Sequence, residues 1–241
     1  MPSDKEIVLL GAGIHWMRGV FVTGTDTEVG KTVVSRLLVR AAIARGLRAA
    51  AMKPVASGAE DTGGGLRNDD ALALMKEMNV VAEYAEVNPY VFAEPVSPHI
   101  AAAAAGTVIE PEVVGRALMS LAHRADVVMV EGVGGWRAPL GPRLTVAGLA
   151  SHLGLPVVLV VGLRLGCLNH ALLTAESIGR SGLPLAGWVG NVVDPGMSRL
   201  EENVQTLRMH LPAPCLGLLR HAAGDPVEAN EGRVALPQSL V

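Results

Sequence analysis

The chain has 241 residues and a formal net charge of −3, and half of its residues are hydrophobic although only three Trp, two Tyr and two Phe are present. This length suits one large domain with a substantial core, and an apolar content dominated by Ala, Val and Leu favours helices packed on a sheet. A slightly acidic chain without a basic stripe gives no electrostatic support for a nucleic-acid partner.

Cysteine usage and hydropathy indicate the cellular compartment of the protein. The two cysteines, Cys167 and Cys215, form neither a metal-spaced pair nor a disulfide framework, which favours a reducing compartment. The longest apolar run, Leu155–Leu163, is far shorter than the ~20 residues that a membrane-spanning helix needs. We therefore predict a cytoplasmic protein without a membrane partner.

Strand-like and helix-like runs alternate along the chain after an N-terminal extension at residues 1–18. The apolar runs predict six strands, at Gly19–Thr23, Arg48–Lys53, Asp126–Glu131, Leu155–Val161, Leu185–Gly190 and Cys215–Leu219. The amphipathic runs predict six helices, at Lys31–Arg45, Asp69–Asn79, Pro111–Arg124, Thr145–Leu153, Leu168–Arg180 and Ser198–His210. Continuous apolar strands indicate a sheet covered on both faces. The alternation predicts one α/β domain over residues 19–241, with a doubly wound, mostly parallel sheet flanked by helices.

The stretch FVTGTDTEVGKTVVSRLL, Phe21–Leu38, is typical of a phosphate-binding loop between a strand and a helix. In this interpretation the helix N-terminus attracts phosphate groups, Lys31 contacts the β- and γ-phosphates, and the Thr32 hydroxyl binds Mg²⁺. The alternative, a simple turn capped by threonine, does not explain why strand, loop, Gly-Lys-Thr and helix coincide. We therefore predict a magnesium–nucleotide site here.

The loop is one residue longer than the usual spacing, because five residues, Thr25 to Val29, separate its first two glycines. Two of the five are the acidic residues Asp26 and Glu28, which nucleotide binding alone does not explain. Asp26 is expected to tie the backbone of its own loop together. Glu28 either faces away from the phosphates or accepts hydrogen bonds from a ribose or a cationic substrate.

The stretch DVVMVEGVGG is an apolar strand that ends in a carboxylate, Glu131, and continues into glycines. Oxygen ligands at the end of a second strand hold Mg²⁺ in phosphate-loop enzymes. Gly132, Gly134 and Gly135 let the backbone approach a ligand closely. A bare turn would explain the glycines but not the carboxylate, so we predict Glu131 as a metal ligand.

Two further stretches carry charged residues. In RAAAMKPVASG, Pro54 imposes an extended backbone on Lys53, which predicts that the Lys53 ammonium points outward from the strand end, with Ser57 on the same loop. The alternative is a solvated surface lysine, although the chain uses only four lysines against sixteen arginines. In LRNDDALALM, Asn68 is the expected N-cap, and dipole effects alone would account for Asp69 and Asp70.

Together these motifs resemble those of dethiobiotin synthetases. The matching segments cover most of residues 20–191 in order and read FVTGTDTEVGKT, KPVASG, LRNDDALAL, VNPYVFAEPVSPHIAA, VEGVGGW, VVGLRLGCLNHALLT and LAGWVGN. The resemblance implies a P-loop NTPase-like fold and a homodimer. It also implies that 7,8-diaminopelargonate, CO2 and MgATP become dethiobiotin, ADP and phosphate, through a carbamate and a carbamic-phosphoric anhydride.

The resemblance also implies roles for individual residues. Lys53, Lys31 and Thr27 would act in catalysis, and Thr32, Asp70 and Glu131 would hold Mg²⁺. ATP would contact two groups of residues, which are Thr25, Asp26, Glu28, Val29, Gly30, Lys31, Thr32 and Val33, and Asp70, Glu131, Gly132, Val133, Gly134, Asn191, Arg220 and His221. The diamine would contact Thr27, Lys53 and Ser57, and, across the dimer interface, Gly166, Cys167, Leu168 and Asn169.

The chain departs from the family pattern after Asn191, the residue expected to contact adenine. Asn203 stands where relatives carry a tyrosine near the substrate carboxylate. The turn Gly217–His221 reads GLLRH where relatives have Gly-Glu-hydrophobic-Pro, so Arg220 is expected to relax the choice of nucleotide.

Two rival classes share this general fold. A ParA- or MinD-like ATPase switch usually has a second lysine early in the loop, where this chain has Thr25 and Asp26. Cobyrinate amidation synthetases carry a glutaminase domain after the P-loop domain, and this chain is expected to be too short to hold one.

Overall fold

The computed structural model describes residues 7–8, 15–16 and 18–241, and a six-stranded sheet forms its centre. The strands are β1 Arg18–Gly24, β2 Ala49–Met52, β3 Val127–Gly135, β4 Val157–Leu163, β5 Leu185–Val192 and β6 Cys215–Leu219. Their order across the sheet is β6-β5-β4-β1-β3-β2, and every neighbouring pair is parallel. The predicted fold class, a doubly wound parallel sheet, is confirmed.

Eight helices connect or flank these strands in the described part of the chain. They are α1 Lys31–Ile43, α2 Asp69–Glu77, α3 Tyr84–Val87, α4 Pro98–Ala104, α5 Pro111–Ala122, α6 Val146–Leu153, α7 Cys167–Arg180 and α8 Leu200–His210. The six predicted helices are all present, and each has one end where it was predicted and the other end one or two residues away. The short α3 and α4 were not predicted, because neither is long enough to show a helical period. None of the described helices is long and apolar enough to cross a membrane.

Strand side chains alternate between two buried layers. Val20 and Val22 of β1 pack with α1, and Phe21 between them packs with α5 and α6 on the opposite face. Toward the β6 edge, α7 and α8 cover the same face as α5 and α6, around the fully buried Trp188. Residues near the C-terminus, including Val234 and Leu240, join the α1 layer. Both faces are therefore covered, which explains why the strands read as continuous apolar runs.

The chain reverses its direction across the sheet between β1 and β4, which are neighbours. Connections from β1 and β4 leave toward opposite edges, and ligands of such sheets bind at this switch point, beyond the carboxyl ends of the strands. The Thr25 amide, one residue after β1, donates to the Val160 carbonyl of β4 over 2.9 Å. The loop that follows β1 is thus held across the switch point.

Three local features differ from the predictions. The prediction that the third strand ends at Glu131 was wrong, because β3 continues to Gly135 beside the end of β1, with a register irregularity between Val22 and Gly24. Two short strand pairs, Val55–Ala56 with Tyr90–Val91 and Glu60–Asp61 with Leu66–Arg67, organise the segment after β2.

The predicted extension at residues 1–18 lies largely outside the described residues. Its described parts are an antiparallel pair between Ile7–Val8 and His15–Trp16, and Arg18, which is the first residue of β1. That residues 19–241 form a single domain stays a prediction.

Candidate active site

The loop between β1 and α1 has the tight backbone that its glycines predict. Gly30, the N-cap of α1, has φ of +91°, and a Cβ atom there would lie 2.3 Å from the Asn191 side-chain nitrogen. Val29 is buried, and a Cβ atom on Gly24 would lie 2.6 Å from the Val29 Cγ2 atom. The Lys31 ammonium donates to the Asp26 carbonyl over 2.9 Å. The loop therefore curls around the Lys31 side chain and leaves room for no added Cβ at these two glycines.

The two acidic residues of the loop have different environments. The Asp26 carboxylate accepts from the Thr27 amide over 2.8 Å and pairs with the Arg164 guanidinium over 2.5 Å. The prediction that Asp26 ties its own loop together is confirmed. Glu28 is exposed and has φ of +59°, a left-handed conformation that is uncommon outside glycine and asparagine. Thr27 is also exposed, so the crest of the loop presents Thr27 and Glu28 to solvent.

A cluster of opposite charges lies beside the loop, immediately after β2 and in the middle of β3. Glu131 is completely buried, and its Oε1 atom accepts from the Thr32 hydroxyl over 2.8 Å and from the Lys53 ammonium over 2.5 Å. Lys53 also pairs with Asp70 at the start of α2, over 2.7 Å. The alternative of a solvated surface lysine was wrong: the Lys53 side chain is only 5% exposed, because the two carboxylates draw it inward.

The environment changes the protonation of these groups. Burial lowers the pKa of Lys31 to about 8, and the nearby Lys53 ammonium contributes to that shift. Burial also lowers the pKa of Lys53, but the carboxylates of Glu131 and Asp70 outweigh it, so the net pKa is raised. For Asp70, burial raises the pKa, but the Lys53 ammonium outweighs it and the net pKa is lowered. Lys53 and Asp70 are therefore a charged pair at neutral pH, whereas Lys31 loses its proton more easily.

The donor atoms around Glu131 fit a hard divalent cation. The Glu131 Oε2 atom is buried without a hydrogen-bond partner, and an unpaired buried carboxylate oxygen is costly. The hydroxyl of Thr32 and the carboxylate of Asp70 provide further oxygen ligands nearby, and oxygen is what Mg²⁺ prefers. In the part of the chain that the structure describes, no three His, Cys, Asp or Glu side chains form a metal cluster. A cation here would therefore need oxygens from a bound ligand, as Mg²⁺ does on a triphosphate.

The glycines after Glu131 lie against the phosphate loop. A Cβ atom on Gly134, where φ is +60°, would lie 3.7 Å from the Thr27 hydroxyl, and one on Gly135 would lie 3.9 Å from the Asp26 Cα atom. Gly132 faces the other way, where a Cβ would lie 3.0 Å from the Phe21 ring. The backbone from Gly132 through Val133 to Gly134 thus forms a wall beside Thr27.

A second group of predicted residues lies at the ends of β5 and β6. The Asn191 side chain donates to the Val29 carbonyl over 3.0 Å, which joins β5 to the phosphate loop. Asn191 also pairs with Leu219 in the sheet register, so Arg220 and His221 follow directly on the neighbouring strand, both exposed. The buried Asn230 side chain then binds the Arg220 backbone, accepting from its amide over 2.8 Å and donating to its carbonyl over 3.1 Å.

The predicted substrate residues are dispersed. Ser57 is partly buried, and its carbonyl accepts from the Asn68 side chain over 3.4 Å. Gly166 caps α7 with φ of +96°, and Asn169 is exposed, but the Cys167 side chain is buried in the core, so only its backbone faces the helix end. Asn203 donates to the Arg199 carbonyl within α8 over 2.8 Å.

Several supporting residues were missed by sequence reasoning. Arg164 pairs with Asp26, and Asn230 holds the Arg220 backbone. The Asn88 side chain donates to the Lys53 carbonyl, and the Tyr84 hydroxyl donates to Asn88. The Arg164–Asp26 pair has no local sequence signal, because the two residues are 138 positions apart in the chain. The two tyrosines and the asparagine in EYAEVNPY, which stand out in a chain poor in aromatic residues, were the one available signal.

Comparison with known proteins agrees with this geometry. An AAA domain family model matches residues 18–223. The ATP-dependent dethiobiotin synthetase of Pseudomonas paraeruginosa is 56% identical over 202 residues, which is 83% of this chain and 89% of that protein. The ATP-dependent dethiobiotin synthetase of Escherichia coli strain K12 is 53% identical over 213 residues, or 88% and 95% of the two chains.

Solved structures show the same fold at low identity. A ParA family ATPase from Chlorobium tepidum has a TM-score of 0.52 and 14% identity, covering 88% of each chain. The MinC:MinD cell division protein complex from Aquifex aeolicus has a TM-score of 0.54 and 13% identity, covering 89% of this chain and 86% of that one. At such identities the likeness shows a shared P-loop architecture alone. By its sequence relatives, the chain belongs to the AAA domain family and, within it, to the dethiobiotin synthetases.

Proposed function

We propose that this ATP-dependent enzyme closes a ureido ring, converting 7,8-diaminopelargonate, CO2 and ATP into dethiobiotin, ADP and phosphate. The observation that carries the proposal is the convergence of Lys31 and Lys53 beside the phosphate loop, both largely removed from water. An enzyme that only hydrolysed ATP would need no second buried ammonium for an anionic nucleophile. A carbamate that attacks a triphosphate does need one, because two anions repel strongly in a site of low dielectric.

The reaction balances in three steps. One substrate amine adds to CO2 and loses a proton, which gives a carbamate. A carbamate oxygen then attacks the γ-phosphorus, and the bond to ADP breaks. The second amine attacks the carbonyl carbon of the resulting anhydride, phosphate leaves with the oxygen that joined carbon to phosphorus, and the ring closes.

The side chains contribute mainly charge and position. Lys31, at the start of α1, would face the β- and γ-phosphates. Lys53 would face the attacking carbamate and the charge that spreads over the equatorial oxygens. Thr27, at the loop crest beside Gly134, would hold the carbamate in line with the leaving group. This assigns the extra loop residue to a second ligand, with nucleotide on the backbone and the diamine on the Thr27 and Glu28 side chains.

A divalent cation fits the charge balance of the site. The ammonium groups of Lys31 and Lys53 are opposed by the carboxylates of Asp70 and Glu131, so these four side chains supply no net positive charge. Thr32, Asp70 and Glu131 would hold Mg²⁺, and the orphaned Glu131 Oε2 atom supports this ligand set. Bound Mg²⁺ would neutralise phosphate oxygens and orient the triphosphate.

A second copy of the chain would complete the substrate site. Near the N-terminus of α7, Leu165, Leu172 and Leu173 are exposed, and Leu165 is 90% accessible, which suits a face that another protomer covers. In that dimer the segment Gly166–Asn169 would present helix N–H groups and the Asn169 amide to the substrate carboxylate. Sedimentation should show a dimer, and Asn169→Ala should raise the KM for the diamine without changing the KM for ATP.

The nucleotide base would lie between Asn191 and the turn that follows β6. Arg220 is exposed there, in place of the proline of relatives, and a flexible guanidinium can donate to base carbonyls as well as to ring nitrogens. We therefore expect comparable turnover with ATP, CTP and GTP. A strong and exclusive preference for ATP would contradict this role of Arg220.

The activity assay incubates the protein with diaminopelargonate, bicarbonate and MgATP and detects dethiobiotin by mass spectrometry. Lys53→Ala should lower kcat roughly 10²–10³-fold, as the loss of one preorganised charge-stabilising group does. Lys76→Ala is the matched control, because Lys76 is another of the four lysines and is exposed on α2. ATP hydrolysis stimulated by DNA or lipid, but not by the diamine, would favour a ParA- or MinD-like switch instead.

A further inference from the structure

The Lys53 backbone is oriented by residues outside the central sheet. β2 ends at Met52, and Pro54 has no N–H to donate, so sheet hydrogen bonding stops immediately before the lysine. The Lys53 amide donates instead to the Val87 carbonyl over 2.8 Å, and its carbonyl accepts from the Asn88 side chain over 2.6 Å. Both peptide groups of Lys53 are therefore held by the segment that ends α3.

The Tyr84 hydroxyl connects this segment to α2. It donates to Asn88 Oδ1 over 2.8 Å, and it accepts from the Asn68 amide over 2.8 Å. Asn68 is the N-cap of α2, and its side chain accepts from the Ala71 amide. Asp70, the second residue of α2, pairs with the Lys53 ammonium.

These contacts form a closed ring of hydrogen bonds, which includes one ion pair. Starting from the Lys53 carbonyl, the chain of bonds runs through Asn88 and the Tyr84 hydroxyl to Asn68, and then along α2 to Asp70, which contacts the Lys53 ammonium. Lys53 is thus fixed at its backbone and at its side-chain tip by one connected network. Asn88 is almost completely buried, so each of its bonds is costly to lose.

We propose that Tyr84 and Asn88 are positioning residues, which set the distance between the Lys53 ammonium and the Asp70 carboxylate and so the placement of Lys53 in phosphoryl transfer. The inference rests on the proposed function, in which Lys53 faces the reacting phosphoryl group. A network that places a catalytic charge affects kcat, because a small displacement weakens the stabilisation of the transition state. The KM for ATP should change much less than kcat, because Asp70 is the one proposed ATP contact besides Lys53 in the ring and the phosphate loop lies outside it.

Tyr84→Phe tests this role, and Tyr90→Phe is its matched control. Phenylalanine keeps the aromatic ring of Tyr84, and with it the contact with the Arg67 guanidinium, whose carbon lies 4.2 Å from the centre of the aromatic ring. The substitution therefore removes only the hydroxyl. The chain has one other tyrosine, Tyr90, which is also partly buried and whose hydroxyl accepts a backbone amide, that of Glu110, over 3.0 Å. Tyr84→Phe therefore loses two hydrogen bonds of the network, and Tyr90→Phe loses one hydrogen bond outside it.

We expect kcat of dethiobiotin formation to fall about tenfold in Tyr84→Phe, the effect of roughly one to two lost neutral hydrogen bonds, with the KM for ATP within twofold. Tyr90→Phe should stay within twofold of the parent in both constants. Asn88→Asp keeps the acceptor for Tyr84 but cannot donate to the Lys53 carbonyl, so it should reproduce the fall in kcat. The double variant Tyr84→Phe/Asn88→Asp should be no slower than the slower single variant, because both interrupt one network.

Equal kcat values for Tyr84→Phe and Tyr90→Phe, or additive losses in the double variant, would overturn the positioning role. A rise in the KM for ATP as large as the fall in kcat would also overturn it, because that result means general loosening of the site. A parent protein that forms no dethiobiotin would overturn the proposed function and this inference together. That outcome is recognised before any variant is compared.

Discussion

The two ends of the candidate site are built from different chemistry. At the phosphate end, Lys31, Lys53 and Glu131 are buried charges that contact one another or the loop directly. At the base end, the amides of Asn191 and Asn230 hold backbone groups, and the charged side chain nearby, Arg220, is exposed. Buried charges depend steeply on their partners, whereas neutral hydrogen bonds contribute modestly. The phosphate end is therefore expected to tolerate almost no substitution. Substitutions at the base end are expected to change the affinity for ATP gradually.

Helix α1 connects the two ends through an ion network on its outer side. Arg36 and Arg40 both bind Glu77 at the end of α2, over 2.6 and 2.7 Å. Arg40 also binds Glu228 in the segment after β6, over 2.7 Å. The helix that begins at the phosphate loop is thus joined to α2 on one side and to the base end on the other.

Glu131→Gln tests the phosphate end and has the largest expected effect. Glutamine keeps the volume but removes the negative charge that faces Lys53 and Thr32, and one proposed Mg²⁺ ligand. We expect kcat to fall at least about 100-fold, since even indirect changes around metal ligands cost 10- to 100-fold. The measurement is steady-state turnover at increasing MgCl2 concentration. The exposed Glu112→Gln is the control, and equal turnover in the two variants would contradict the assignment.

Asn230→Ala tests the base end with a smaller effect. The variant leaves the Arg220 amide and carbonyl and the Pro226 carbonyl without their side-chain partner. We expect the KM for ATP to rise about three- to tenfold with kcat within twofold, and the free energy of unfolding to fall by about 1–3 kcal/mol. Asn203→Ala, which removes one exposed bond within α8, should change neither quantity. An unchanged KM in Asn230→Ala would show that the turn after β6 does not contribute to nucleotide binding.

Glu86→Gln has the smallest expected effect and depends on pH. Burial raises the pKa of Glu86, but bonds from Arg124 and Ser120 outweigh it and lower the pKa to about 2, from an ordinary value of 4.5. A carboxylate with a lowered pKa stabilises the fold above pH 4.5, and this contribution is lost as the pH falls toward 2. The pair is partly exposed, so we expect about 1 kcal/mol at pH 7. Urea unfolding of both proteins at pH 7 and pH 3 checks this, and a difference that grows on acidification would contradict it.

The comparison also shows what sequence could predict. The phosphate loop before Lys31 and Thr32, and Glu131 after four apolar strand residues, lie in short motifs that local spacing makes recognisable. The inward turn of Lys53 could not be read from Pro54, because it depends on two carboxylates 17 and 78 residues away. Asn230 and Tyr84 were missed for the same reason: their partners are brought close only by the fold. The glycines after Glu131 were interpreted as backbone that approaches a ligand closely, and no side chain signals that β3 continues through them.

Isotope transfer from labelled CO2 to phosphate tests the central claim, that a carbamate attacks the triphosphate beside the two lysines. In a short reaction with C¹⁸O2, diaminopelargonate and MgATP in unlabelled water, the oxygen that joins carbon to phosphorus stays with phosphorus when the ring closes. The proposed reaction therefore predicts one ¹⁸O atom in each phosphate released with dethiobiotin. Phosphate that carries only unlabelled oxygen would show that water attacks ATP, and would contradict the account.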